Sequence, residues 1–374
     1  MTRKHKLVAL ITTAMCMVVF TALALLYPLT PAEAGLPPAS RYQVLSPITH
    51  GNLTIFPVVA STTHDTTQFL TLDEGLRTGE VEVNEHDGVR PMVRCPGMVR
   101  CLGTYPTHGN GAEVNKLYLI NKSKRPLLLL AGEIVTGGKQ DRIVGKDRIV
   151  PAETEADLDV FCVEPGRWTE TTAGFEAKGS LMVAPSVRNQ AMAKKDQNAV
   201  WDEVNKTKSY TYDSLGAAPA AQAEVGSTSS YAQVMNNEEV KKRVDAVAAP
   251  IQHSYESEIR ELRNRNAVGV VVAVNGRIIW ADLFASTSLL EKYWPKLVRS
   301  YASEAINAGG SGEAIGVKVA QEYLDQLEGR HEIAESEPGV YRHTEIIGDG
   351  YKAFELTSLL PNTGFDVHIS KMTE

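Results

Sequence analysis

The sequence predicts an α+β fold with largely antiparallel sheets and segregated helices, and three observations carry that prediction. Strand-like segments crowd into the stretch from about Tyr42 to Trp168. An Asn275-Gly276 pair between two apolar runs marks a hairpin further on, because both turn positions need positive φ. Helix-like segments are grouped and do not alternate one by one with strands, which argues against a wound parallel sheet.

The 374-residue chain opens with Arg3, Lys4 and Lys6, an apolar run from Leu7 to Tyr27, and Ala32-Glu33-Ala34 before Gly35. That order reads as a secretory signal over residues 1–34, so the rest is expected in the periplasm or secreted. The apolar run is also long enough for an uncleaved membrane anchor, which needs about 20 residues. Losing Arg3, Lys4, Lys6 and Glu33 takes the formal net charge from −7 to −9. Such an acidic body, its Lys and Arg scattered among Asp and Glu, argues against nucleic acid and against anionic membrane surfaces as partners.

After a short linker, residues 35–41, one elaborate domain is expected over residues 42–374. Its β-rich half, 42–184, carries strands at Leu53 to Ala60, Val81 to Asn84, Val114 to Asn121, Leu127 to Val135, Arg142 to Val144, Arg148 to Val150 and Leu158 to Glu164. One helix interrupts them, since Thr71 with Glu74 forms a capping box and Gly79 a stop. Residues 185–266 read as a helical and flexible insertion. There Val187 to Lys208 and Val240 to Arg265 suit helices, with a kink or break near Pro250, and Ser209 to Tyr231 suits a mobile loop. In the α+β half, 267–374, the hairpin Val268 to Phe284 precedes a helix capped by Ser288 with Glu291 and ended by Gly309-Gly310. A helix from Ala314 to Leu327 and strands at Tyr341 to Ile347, Tyr351 to Leu359 and Phe365 to Ile369 complete it.

Cys95 and Cys101 flank Pro96-Gly97, a turn that suits a disulfide in an oxidising compartment, with two free thiols as the other reading. Cys162, inside an apolar run, reads as a small buried hydrophobe. None of the nine histidines sits at metal-ligand spacing, and no cofactor or standard enzyme signature is present. Glu153, Glu155, Asp157 and Asp159 alternate along one face, as a solvated strand edge does.

Three separated segments, GEIVTGGKQDR from Gly132, CVEPGRW at Cys162 to Trp168, and VGVVVAVNGRIIWADLF at Val268 to Phe284, resemble the ARG-and-rhodanese-phosphatase-superfamily-associated protein domain, an uncharacterised bacterial family. The resemblance implies a neighbourhood in nucleotide or ADP-ribose chemistry but supplies no activity and no catalytic residues. Export weighs against ADP-ribose itself, a metabolite found mainly inside cells.

The first segment approaches a phosphate-cradling loop and then departs from it. The spacing from Gly132 to Gly138-Lys139 is one residue too long, and Gln140 stands where a magnesium-binding hydroxyl belongs. Even so, Gly137 and Gly138 could turn N–H groups towards an anion, with Lys139, Gln140 and Arg142 beside them. Glu164, Arg167 and Trp168 would border that site and suit a planar anionic nucleotide- or sugar-like ligand. The competing reading of the same residues is an Arg-Glu structural network. Three functions follow: an exported ligand-binding or accessory domain, a hydrolase of a phosphate ester or glycosidic bond using Glu133 or Glu164, or an envelope protein-interaction module.

Overall fold

The computed structural model describes residues 41–85, 115–167, 172, 174–177, 180–262, 265–326 and 329–374. The predicted signal over residues 1–34, nearly all of the predicted linker, the predicted Cys95 to Cys101 disulfide and Trp168 lie outside the described residues.

The fold is α+β and mostly antiparallel. Its largest sheet has nine strands in the order β1 (Tyr42–Val44), β3 (Leu53–Ala60), β13 (Ala267–Val274), β14 (Arg277–Phe284), β18 (Asp366–Thr373), β17 (Tyr351–Ser358), β16 (Tyr341–Ile347) and β15 (Arg330–Glu337), with β2 (Ile48–His50) against β3. Every residue of β3 and of β13 is buried. Leu53, Ile55, Val270 and Val272 point into the main core, and Phe56, Val58, Val268 and Val271 into a second core on the other side. Strands covered on both faces read as continuous apolar runs, as these do. Asn275 and Gly276 turn β13 into β14 with φ of 51° and 72°.

Two smaller sheets share another core. One runs β12 (Phe175–Glu176), β8 (Ile134–Gly137), β9 (Arg142–Val144), β11 (Thr154–Cys162), β6 (Lys116–Asn121), β5 (Val81–Glu85). The other runs β10 (Arg148–Val150), β7 (Leu127–Leu129), β4 (Leu70–Thr71), with β4 and β7 parallel. The stretch Leu127 to Val135, predicted as one strand, is two, because Gly132 at φ 87° breaks it. The acidic ladder is exposed, and its stretch of β11 pairs only with β6, since β9 joins β11 beyond it at Val160 to Cys162.

Helix α1 (Leu72–Thr78) has the predicted capping box and a left-handed Gly79. The predicted mobile loop at Ser209 to Tyr231 is instead largely helical. A short α2 (Pro185–Asn189) passes through one π turn into α3 (Gln197–Ser214), followed by α4 (Pro219–Ser227) and α5 (Tyr231–Asn236). The small residues of Ser209 to Tyr231 misled because composition does not report burial: Leu215, Val225 and Tyr231 all enter the main core. α6 (Glu238–Leu262) continues past Pro250 without a break and buries Val240, Val244, Ala248, Ile251 and Tyr255 along one stripe. α7 (Thr287–Ala308) is capped two residues before the predicted cap, by Ser286, which accepts from the Leu289 N–H. α8 (Val317–Asp325) lies against the second core, and the Lys371 ammonium donates to the Tyr323 and Gln326 carbonyls at its C-terminal end.

Candidate functional site

The segment Ala131-Gly132-Glu133 joins two buried charge clusters. In the first, Arg188 from α2 makes a bidentate pair with Asp282 on β14, at 2.9 and 3.2 Å, and its guanidinium lies 4.4 Å over the Trp280 ring. His368 on β18 stands between two carboxylates, 2.5 Å from Asp147 and 3.2 Å from Asp282. Tyr301 from α7 also donates to Asp282, and the Ala131 N–H donates to Asp147 at 2.8 Å. All six side chains, Trp280 included, are buried. Burial by itself would push the His368 pKa down, but the Asp147 and Asp282 carboxylates raise it to about 9. Against the same burial, His368 lowers Asp147, and Arg188 with His368 lowers Asp282. Gly132 is required here: a Cβ at that position would sit 2.5 Å from the Arg188 Cγ.

The second cluster centres on Lys296 of α7, whose ammonium donates to Glu133 at 2.5 Å and to Asp73 of α1 at 2.6 Å. Burial raises the Glu133 pKa, while the Leu130 N–H donates to its other oxygen at 2.7 Å. Two carboxylates outweigh the burial of Lys296 and raise its pKa, so it is a fixed cation and not a free base. Residues Leu181 to Val183 run alongside Gly132 to Ile134, bonded through Ile134 N–H to the Leu181 carbonyl and Val183 N–H to the Gly132 carbonyl. That pairing sets Ser180, at φ 48°, where its hydroxyl donates to Asp73.

Two cavities meet at Ser180. One, of about 220 Å³, has apolar walls from Met182, Met235 and Val244, polar groups from Lys241, Asp245 and Arg299, and Lys296 at its floor. The other is an open cleft of about 640 Å³ lined by Asp73, Glu74, Arg77, Phe175 and Lys292 among others. The Arg299 guanidinium is held by Asp245 at 2.6 to 2.9 Å.

The residues predicted to form an anion site are gathered into a network of the chain's own groups. Arg167 contacts Glu164 at 2.6 Å, Asp141 at 3.5 Å, and the Gly138 and Gly137 carbonyls at 3.0 and 3.4 Å. The N–H groups that an anion would need already have acceptors: Gly137 donates to Asp141, Gly138 to Thr172 and Lys139 to Glu85. Gln140 donates to the Glu164 carbonyl, and the Glu164 carboxylate accepts from the Asp141 N–H. Arg142 is buried, and burial lowers its pKa. Among the described residues no cluster of His, Cys, Asp and Glu is arranged to hold a metal ion, and Cys162 is a buried free thiol.

Sequence reading missed Arg188, Asp282, Lys296 and His368. Each left a signal, a charged residue within an apolar strand or on an apolar helix face, where burial demands a partner. Asp-Arg-Ile-Val occurs twice, at Asp141 to Val144 and Asp147 to Val150, and this was a second signal, since Asp141 and Asp147 occupy the same place in it and both are buried acceptors of backbone N–H groups.

A family model described as ARG and Rhodanese-Phosphatase-superfamily-associated Protein domain matches residues 41–372. No curated protein and no solved structure matches the chain.

Proposed function

The chain belongs to the ARG and Rhodanese-Phosphatase-superfamily-associated Protein domain family, and from that premise, which assigns no activity, we propose that it is an exported accessory protein that binds a small ligand in the cavity beside Lys296. The carrying observation is the cavity itself: about 220 Å³, apolar walls and a few polar groups at its rim and floor. Concave apolar sites with sparse convergent polar groups are the usual form of small-molecule sites. The adjoining charges are already positioned, because Lys296 is fixed by Asp73 and Glu133. The basic, apolar and Ala-x-Ala order at the N-terminus supports export. The glycine turn at Gly137 to Arg142 is a weaker place for a ligand, because its N–H donors are occupied.

A hydrolase reading draws on one observation. Asp73 and Glu133 both contact one ammonium, so their nearest oxygens lie within about 5 Å, a spacing known from retaining glycosidases. Glu133 is 1 % exposed and lies against Lys296, so it reaches no substrate, and the binding reading carries further.

The test is a thermal-shift screen of residues 41–374 against small organic acids, amines, sugars and nucleotides, repeated on Val244→Trp, which fills the cavity. A compound at 100 times its dissociation constant adds about 2.7 kcal/mol to wild-type stability. The expected result is a shift in wild type that Val244→Trp abolishes. A ligand that binds both proteins equally overturns the placement.

A further inference from the structure

We infer, resting on the binding reading above, that the cavity is selective for a monoanion with a one-ring apolar body, an aromatic carboxylate being the chemistry that fits. Three cations and one carboxylate line it, but they are not equivalent. Lys296 is neutralised by Asp73 and Glu133. Arg299 is neutralised by a bidentate pair with Asp245. That leaves Lys241, whose partner Glu238 is 3.3 Å away, one helical turn back, on a side chain 90 % exposed. Exposed pairs at this spacing are worth only about 0.2 to 0.5 kcal/mol, so a ligand carboxylate held against an apolar wall competes well for the ammonium. The cavity therefore offers one exchangeable positive charge.

Its size sets the body of the ligand. A dry cavity of about 150 Å³ lined by apolar side chains accommodates benzene, and this one, at about 220 Å³, takes a ring and a short arm. A whole nucleotide is too large. Met182 and Met235 both line it with flexible thioethers, which mould to a ring and make favourable sulfur–aromatic contacts. A sugar would turn those of its hydroxyls that face Met182, Met235 and Val244 onto apolar groups, a costly burial that a ring avoids.

The experiment is calorimetric titration of residues 41–374 with phenylacetate, its neutral amide phenylacetamide, the amine phenethylamine, glucuronate and AMP, on wild type, Lys241→Glu and Val244→Trp, each checked for folding by circular dichroism. Phenylacetate should bind at least tenfold more tightly than the amide and the amine. Lys241→Glu should remove that preference at least tenfold while leaving the amide unchanged, and Val244→Trp should abolish binding. If the amide, the amine, glucuronate or AMP binds as well as phenylacetate and Val244→Trp still abolishes it, the selectivity is wrong while the binding site stands. If none of the five binds, or if Val244→Trp folds and binds normally, this inference fails, and in the second case the site fails with it. Should Val244→Trp not fold, Lys241→Glu decides alone: an unchanged preference for phenylacetate overturns the assignment.

Discussion

His368 gives the most direct physical test of the buried network. Its pKa rises from 6.5 to about 9 because Asp147 and Asp282 flank it. At about 1.4 kcal/mol per unit, that difference is worth about 3 kcal/mol of stability. The sign follows from proton counting. Between pH 6.5 and 9 the folded protein holds a proton that the unfolded chain has lost, so stability is full below pH 6.5 and falls as pH rises through 9. Lys371 runs the other way, since burial lowers it to about 8 and its contribution rises with pH from there to its ordinary value. A difference measurement separates the two. Urea unfolding of residues 41–374 and of His368→Gln at pH 6, 7.5 and 9.5 should show the gap between them shrinking by about 3 kcal/mol across the series. If the two proteins change in parallel with pH, His368 is not a buried cation and the account of the network fails.

Gly132→Ala should cost at least about 2 kcal/mol by urea unfolding, because it combines a left-handed φ with a Cβ 2.5 Å from Arg188. Lys296→Met should lower stability by about 3 to 5 kcal/mol, since it strands Glu133 away from water, and Glu133→Gln added to it should recover part of that loss in the same assay. Arg167→Lys should cost about 1.5 to 3 kcal/mol in melting experiments, because one ammonium cannot span Glu164 and the two glycine carbonyls; an unchanged melting temperature would show that the fork is dispensable.

Local chemistry is legible in the amino-acid order alone. Thr71, Glu74 and Gly79 bound a helix by bonds within a few residues, and Asn275-Gly276 makes a hairpin because its backbone tolerates positive φ. The α+β class follows from the grouping of apolar periods, and the family from three separated segments. The stretch around Gly132 is conspicuous by composition alone. Its meaning is not, because the groups it joins come from residues 73, 188, 282, 296 and 368, and sequence spacing carries no distance between such positions. Only the tertiary structure decides that β3 pairs with β13 across more than 200 residues, that the Ala- and Ser-rich segment packs as helices, and that Glu164 faces Arg167 and the Asp141 N–H. The reason is physical: a cap or a tight turn is set by neighbours in the chain, whereas a buried charge is set by whichever distant partner the closed core brings to it.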